Sequence, residues 1–313
     1  MKWRILISAP YMQPVIEDYR EVFESRDVEI IVPKVDERLS EDELLCLVGE
    51  IDGVIAGDDS FTAKVLKKAV PRLKVISKWG TGIDAFDLEA CESLGVAVRN
   101  TVGAFKEPVA DSVMGYVLSF ARKLPWMDLH MKSGIWDKLP GKALHESILG
   151  IIGFGNIGQA VAKRAKSFGM QVLANDIKAI PVSMVEELGV QMVALNELLK
   201  HSDFVSLNCD LNPTSLKLMN RQTFSLMKSN AIIINLARGP IIDESVMVDA
   251  LQTRKIAGAA LDVFEREPLP LDSPLTSMAN VMLAPHNSNT SPAAWLNVHK
   301  NTIKNLFDVL EAE

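Results

Sequence analysis

Cysteine is scarce and unpatterned in this chain: Cys46, Cys91 and Cys209 are odd in number, widely spaced and form no C-x-x-C pair. That excludes a disulfide framework and a cysteine zinc site, and points to a reducing compartment. No group of His, Cys, Asp and Glu has metal-ligand spacing either. An excess of positive charge is also missing. The formal net charge is -7 and the pI about 5.4, which leaves no footprint for nucleic acid and no polybasic patch for an anionic membrane. The apolar run after the N-terminus stops at Pro10, too short for a signal-peptide core, and nothing approaches the roughly 18 apolar residues a membrane span needs. No short-period repeat or low-complexity tract is present. The expectation is a cytoplasmic protein whose partner is a small molecule.

What the chain does have is length and rhythm. Its 313 residues suit about two domains, and 48% hydrophobic content fills both cores. Short β-branched runs at 4–9, 28–33, 53–57, 74–79 and 96–100 alternate with longer amphipathic segments. A single long helix is expected from Phe105 to about Lys132, interrupted near Pro125, as a bridge to a second domain. The alternation then restarts with runs at 148–155, 171–176, 190–195, 204–209, 231–237, 258–264 and 280–285. A last helix is expected to begin near Pro292. The fold class is α/β, with two doubly wound parallel sheets covered by helices on both faces.

One of these runs ends in a phosphate-binding signature. "IIGFGNIGQAVAKRAKSFG" sets Gly153, Gly155 and Gly158 as G-x-G-x-x-G between a strand and a helix. The first glycine permits a tight turn, the second lets backbone approach a pyrophosphate, and the third allows close helix–strand packing. Eighteen residues beyond Gly158, the next strand ends in Asp176. A carboxylate there accepts from a ribose diol and repels a 2'-phosphate, so the expected cofactor is NAD rather than NADP. Lys178, two residues on, weakens that preference.

Ligands of doubly wound sheets bind outside the carboxyl ends of the strands. The rule turns the list of runs into a list of site segments. Past successive strand ends come the Gly153 loop, Asp176, the loop from Asn208, Arg238, Asp262 with Glu267 beyond it, and His286. Taken singly, Arg238 reads as a surface ion-pair partner, Glu267 as solvated and His286 as a cap residue. Their shared position at strand ends points instead to one cleft. There Arg238 holds a carboxylate with two parallel N–H bonds, His286 exchanges a proton near neutral pH, and Glu267 beside it raises its pKa and fixes its orientation. His130, His145, His201 and His299 fall in helices or connecting segments and read as structural.

Five motifs, "KWGTGIDAFDLEA", "GIIGFGNIG", "INLARGPIIDE", "ALDVFEREPL" and "APHNSNTS", together resemble the D-isomer-specific 2-hydroxyacid dehydrogenase family in order and spacing. The resemblance spans essentially the whole chain. It implies a flavodoxin-like substrate domain of residues 1–100 plus 289–313, with a Rossmann NAD domain of 101–288 inserted. It assigns catalysis to Arg238, Glu267 and His286, and carboxylate binding to Trp79, Gly80, Thr81 and Gly82. Cofactor contacts fall on Gly153, Phe154, Gly155, Asn156, Ile157, Gly158, Asp176, Asn208, Cys209, Ala237, Arg238, Asp262 and His286, with Asp262 at the nicotinamide end. It also implies a homodimer through the cofactor domain, with a helix and loop like 105–140 at the interface and Trp126 and Trp136 as candidate contacts. The implied reaction is hydride transfer from NADH to C2 of a 2-oxo acid, protonated by His286, in a cleft that closes on substrate.

Some positions depart from the family pattern. Lys78 and Trp79 stand where many members have arginine and a small residue, and Asn208 and Asp210 where histidine and proline are common. The loop "AGDDSFT" near residue 57 carries two acids where phosphoglycerate dehydrogenases often place a basic group. On that feature 3-phosphoglycerate is not favoured, and glyoxylate, hydroxypyruvate or a larger 2-oxo acid remain open. A dinucleotide-sensing regulator on the same scaffold is the alternative. Formate enzymes of the family carry glutamine where Glu267 stands, which argues against formate.

Overall fold

A computed structural model describes residues 3–312. The chain divides into two units, Met1–Phe105 with Ser291–Glu313, and Lys106–Thr290. Both are built as the alternation of runs predicts, each a wholly parallel sheet flanked by helices.

In the first unit, β1 (Trp3–Ile7), β2 (Val28–Ile31), β3 (Gly53–Ala56), β4 (Val75–Lys78) and β5 (Ala97–Arg99) lie in the order β2-β1-β3-β4-β5. This is the flavodoxin-like order, and it reverses between β1 and β3. β3 and β4 are buried along their whole length, which is why their sequences read as continuous runs rather than as alternations. The C-terminal helix, Pro292–Leu310, belongs to this unit. Ser291 caps it by accepting from the Ala294 amide, and Pro292 sits where its missing N–H costs nothing. Its buried face carries Val298, Thr302, Ile303 and Leu306. Leu306 fills the space over Gly53, where an added Cβ would fall 2.7 Å from its Cδ1.

In the second unit, β6 (Ile148–Ile152), β7 (Gln171–Asn175), β8 (Gln191–Met192), β9 (Phe204–Leu207), β10 (Ile232–Asn235), β11 (Gly258–Leu261) and β12 (Val281–Leu283) lie in the order β12-β11-β10-β9-β6-β7-β8. This is the Rossmann order extended by one strand, reversing between β6 and β9. The register pairs Ile152 with Leu207, Leu207 with Asn235, Asn235 with Leu261 and Leu261 with Leu283. Five strands therefore stop in line, and the segments that follow them emerge along one edge of the sheet.

The long helix expected at 105–132 is two helices, Lys106–Arg122 and Leu124–Lys132. The break falls at Lys123, which takes a left-handed φ of 58°. The interruption thus falls near Pro125 as expected, and Pro125 itself lies in the first turn of the second helix, where proline is tolerated. Among the described residues no helix is long and apolar enough to cross a membrane.

The packing of Leu306 makes the C-terminal helix integral to the first unit. Leu306→Ala is expected to cost about 2–5 kcal/mol, the usual range for a buried leucine. Urea unfolding followed by tryptophan fluorescence measures it, and a change within error would mean the helix is not part of that core.

Candidate active site

The glycine loop forms at the strand reversal of the second unit. Gly153 has φ of 89°, and a Cβ there would lie 2.6 Å from the Cys209 amide nitrogen; at Gly158 it would lie 2.2 Å from the Gly153 carbonyl oxygen. Neither position admits a side chain. At Gly155, in contrast, a Cβ would meet nothing within 4 Å. Gly155 is also the N-cap of the helix Asn156–Ser167, and no side chain among the described residues caps it. An open face at an uncapped helix N-terminus is a cradle for an anion, with amides and the helix dipole directed at it.

The neighbouring segments are bound into this loop. Asp176, just past β7, accepts the Phe154 amide at 2.6 Å and the Lys178 amide at 2.8 Å, so the carboxylate expected to meet a ribose also pins the glycine turn. Phe154 is fully buried, and Asn156 and Ile157 open the helix. Asn208 donates its amide N–H to the Ile152 carbonyl and turns its side chain back on Ser206. Burial pushes the Cys209 thiol up to about 11, which keeps it protonated and unreactive.

Further along the edge, β10 gives way to Arg238. Asn235, fully buried, accepts from the Ala237 amide at 3.1 Å and donates to the Arg238 carbonyl at 2.9 Å, which fixes the turn. Asn235 was not among the expected site residues. The signal for it was its being the sole polar side chain in the run 231–237. The arginine's own Nη1 donates to the Ala237 carbonyl at 2.9 Å. Gly239 does more than turn the chain: a Cβ on it would lie 1.9 Å from the Phe264 carbonyl carbon and oxygen. Its bareness lets the backbone after β11 pass directly against the backbone after β10.

That contact brings in Glu267. One of its oxygens accepts the Phe264 amide at 3.0 Å, and the other lies 3.2 Å from His286 Nδ1. Burial pushes the Glu267 carboxyl up, but its hydrogen bond to His286, the charge of that ring, the Phe264 amide and the Arg238 guanidinium outweigh burial and hold it below the ordinary value. His286 itself has a left-handed φ of 52°, costly for a residue with a side chain. The conformation is held by Asp262, whose backbone carbonyl accepts the His286 amide at 2.8 Å and whose carboxylate accepts the amides of Asn287 at 2.7 Å and Ser288 at 2.8 Å. Asp262 is fully buried. Sequence placed it at the nicotinamide end of a cofactor; in the structure both its oxygens are engaged in shaping the histidine loop.

In the first unit the loop after β4 is strapped in place by its own neighbours. The Gly80 carbonyl accepts the Thr101 amide at 2.8 Å, Thr81 Oγ1 donates to the Thr101 carbonyl at 2.9 Å, and Asn100 donates to the Thr81 carbonyl at 2.6 Å. The amides of Gly80, Thr81 and Gly82 donate to no acceptor among the described residues. Trp79, expected with Gly80, Thr81 and Gly82 to bind the carboxylate, is buried in an aromatic cluster with Tyr11, Phe105 and Trp295, and its Nε1–H donates to His299 Nδ1 at 3.0 Å. Its indole is committed to the core, and only its backbone belongs to the loop.

A Rossmann sheet with an open, uncapped glycine loop at its strand reversal, and an arginine and a histidine–glutamate pair on neighbouring strand ends, is the arrangement of a dinucleotide-binding domain. Residues 114–288 match the family model described as D-isomer specific 2-hydroxyacid dehydrogenase, NAD binding domain. The chain belongs to this family, and this segment is its NAD binding domain. It is 39% identical over 295 residues to the D-3-phosphoglycerate dehydrogenase of Methanocaldococcus jannaschii, covering 93% of this chain but only about half, 54%, of that protein. It is 37% identical to the hydroxypyruvate reductase of Thermotoga maritima, covering 88% of this chain and 90% of the relative. Among solved structures, the D-lactate dehydrogenase of Aquifex aeolicus, complexed with NAD and lactic acid, matches with a TM-score of 0.89 at 26% identity, covering 99% and 96% of the two chains.

The low pKa of Glu267 has a consequence for stability. A carboxylate with a folded value below its unfolded one contributes stability that is present above the unfolded value, here about 4.5, and is lost as pH falls through the folded value. Glu267→Gln is therefore expected to flatten the acid side of the stability profile. Urea midpoints at about pH 7 and about pH 3 measure it, and equal acid loss in both proteins would contradict the pairing with His286.

Proposed function

We propose that this protein is an NAD-dependent reductase of small 2-oxo acids, working in either direction between a 2-oxo acid and its D-2-hydroxy acid. The observation that carries the reading is the His286–Glu267 pair at 3.2 Å, one strand end from Arg238. Family membership supports it, as do the names of the relatives, which reduce or oxidise acids of this class. We assign the first unit to the substrate carboxylate, through the amides of Gly80, Thr81 and Gly82, and the second to the cofactor.

The residues of the second unit fit the cofactor. The amides of Gly155, Asn156, Ile157 and Gly158 would hold the pyrophosphate, and Asp176 the adenosine ribose, its charge disfavouring a 2'-phosphate. The chemistry NADH would supply is addition of a hydride to the carbonyl carbon. Glu267 accepts from Nδ1–H of His286, which leaves Nε2 as the nitrogen that gives a proton to the carbonyl oxygen. Glu267 also stabilises the charged ring before that transfer. Arg238, planar and always charged, grips the carboxylate by two parallel bonds and draws electron density from the adjoining carbonyl. Asn235 and Gly239 set its position.

The second unit also supports a dimer. Leu124, Leu129, Met131, Ile135 and Trp136 are exposed along one short segment, Trp136 at 85%. Trp126 is half-buried, its ring tilted at 53° against Phe120 and its indole N–H donating to the Ala279 carbonyl at 2.9 Å. An apolar stripe of this kind on a charged surface is a protein contact, and we assign it to a second copy of this chain, with Trp136 at its centre.

A screen of NADH oxidation against glyoxylate, hydroxypyruvate and longer 2-oxo acids, run in parallel with NADPH, tests the function. NADH is expected to be the better reductant; faster NADPH oxidation would remove the role given to Asp176. His286→Ala is expected to lower turnover by about 10²–10⁴-fold with NADH affinity nearly unchanged, and unaltered turnover would sink the mechanism. Trp136→Lys is expected to convert a dimer to a monomer in sedimentation velocity, with no shift if the interface lies elsewhere.

A further inference from the structure

His299 has no part in the proposed chemistry, and from its place in the last helix it reads as structural. The structure gives it a more particular position. Its ring is buried, 5% exposed, in the interior of the first unit. Trp79 Nε1–H donates to its Nδ1 at 3.0 Å, Met12 Sδ lies 3.2 Å from the same nitrogen, and the Tyr19 ring is centred 6.2 Å away. An indole N–H can only donate, so Nδ1 must present a lone pair to it, and the neutral ring carries its proton on Nε2. The contact with Trp79 thus fixes both the tautomer and the absence of charge.

The surroundings agree. From the short helix Gln13–Tyr19, Tyr19 faces the ring, while the acids Glu17 and Asp18 are exposed. β3 brings no titratable group, β4 ends in Lys78, which is paired with Asp58, and Arg99 of β5 is exposed and donates to the Val98 carbonyl. On its own helix the residues one turn away are Trp295, Leu296, Thr302 and Ile303, and its neighbour Lys300 is exposed. Burial, with no compensating carboxylate among these groups, holds the His299 pKa below the ordinary 6.5. The neutral ring is therefore the folded form above that value, and its contribution is lost as pH falls through the folded pKa.

A proton added at Nδ1 would set donor against donor. The Met12 sulfur, a weak acceptor already within reach, is where that new N–H could turn, leaving the buried indole N–H without its acceptor. Trp79 opens the loop whose amides we assign to the substrate carboxylate. Its own amide donates to the Ala56 carbonyl at 2.8 Å, and the carbonyl of the next residue, Gly80, accepts the Thr101 amide at 2.8 Å. The indole is what fastens this loop into the aromatic core. We infer that His299 is a positioning residue for the 79–82 loop, an acid-sensitive latch that holds Trp79 while its ring is neutral and frees it when the ring takes a proton. Its effect on substrate rests on the reading of that loop as the carboxylate site; the latch itself rests on contacts within the first unit.

Three proteins test it: the wild type, His299→Asn, whose Oδ1 replaces Nδ1 as an acceptor that cannot charge, and His299→Leu, which has no acceptor. Hydrogen exchange at the Trp79 and Thr101 amides is measured as protection relative to an unstructured peptide, at about pH 7.5 and about pH 5.5, either side of the ordinary histidine value. At the higher pH His299→Leu is expected to lose about tenfold in protection, the scale of one buried hydrogen bond, and His299→Asn to match the wild type. At the lower pH the wild type is expected to lose a similar factor and His299→Asn to keep its protection. Equal protection in wild type and His299→Leu, or an acid response in His299→Asn as large as the wild type's, overturns the latch. In NADH-dependent reduction of hydroxypyruvate at the higher pH, His299→Leu is expected to raise KM about tenfold with kcat nearly unchanged, and His299→Asn to restore KM. An unchanged KM in an active His299→Leu enzyme overturns the positioning role. A wild type without turnover on any 2-oxo acid, but with the expected exchange pattern, overturns the reductase reading and leaves the latch standing. Trp79→Phe, which keeps a ring and removes the N–H, replaces His299→Leu should that variant not fold, and is expected to lose the same protection at the higher pH.

Discussion

The candidate active site depends on a carboxylate that solvent does not reach. Asp262, at the end of β11, accepts the amides of Asn287 and Ser288 and, through its backbone, that of His286. Without those bonds a histidine would leave the left-handed region, where a side chain costs of order 1–3 kcal/mol. With them, the ring is delivered to Glu267. The strain is local, and its compensation lies in the most buried part of the sheet. A residue whose carboxylate is engaged in this way contributes by geometry, through the backbone it shapes.

The same device recurs at other strand ends. Asp176 holds the glycine turn through the Phe154 amide, Asp59 joins the ends of β1 and β3, and Asp203 accepts the Ile148 amide where β6 begins. Loops leaving a parallel sheet carry amides with no ladder partner, and a short carboxylate is the smallest group that accepts two of them at once. Glycine acts in the opposite sense, by taking up no room. Gly239 and Gly153 each let two loop backbones touch, so that segments from different strands share one edge. Carboxylates and bare backbone between them turn a row of strand ends into a site.

The fold was legible in the sequence because the central strands β3, β4, β9, β10 and β11 are buried along their length and read as apolar runs against the helices. The three-residue edge strands β5 and β12 are partly exposed and were marked by their place in the alternation. The candidate residues could be named because the strand-end rule applies to any doubly wound sheet. What sequence did not convey was which way side chains point. Trp79 sits at a strand end, as a pocket residue would, yet its indole turns inward because His299, on the helix that returns from the far end of the chain, accepts its N–H. The interruption expected near Pro125 is a full break at Lys123, and the left-handed turn that makes it is not marked by any local pattern. Asp262 carried an acid's usual suggestion of a ligand contact, and its hold on two amides of the histidine loop could not be read from it. Each depends on a neighbour remote in sequence or on backbone geometry that composition does not encode.

The choice of glutamate at position 267 follows from the same geometry. Its carboxylate divides its work, with one oxygen on the Phe264 amide three residues back and the other on His286. The backbone bond orients the side chain, and only then does the second oxygen meet Nδ1. An aspartate, one methylene shorter, would hold either partner but not span both. Glutamine would keep the span and lose the charge that supports a protonated ring. The carboxylate also feels Arg238, which the Gly239 contact brings near, so the arginine and the histidine–glutamate pair are coupled within the fold. The Glu267 carboxyl stays ionised despite its burial because three groups fixed by the fold favour its charge. In the proposed chemistry that charge would favour the protonated form of the ring that gives its proton to the carbonyl oxygen.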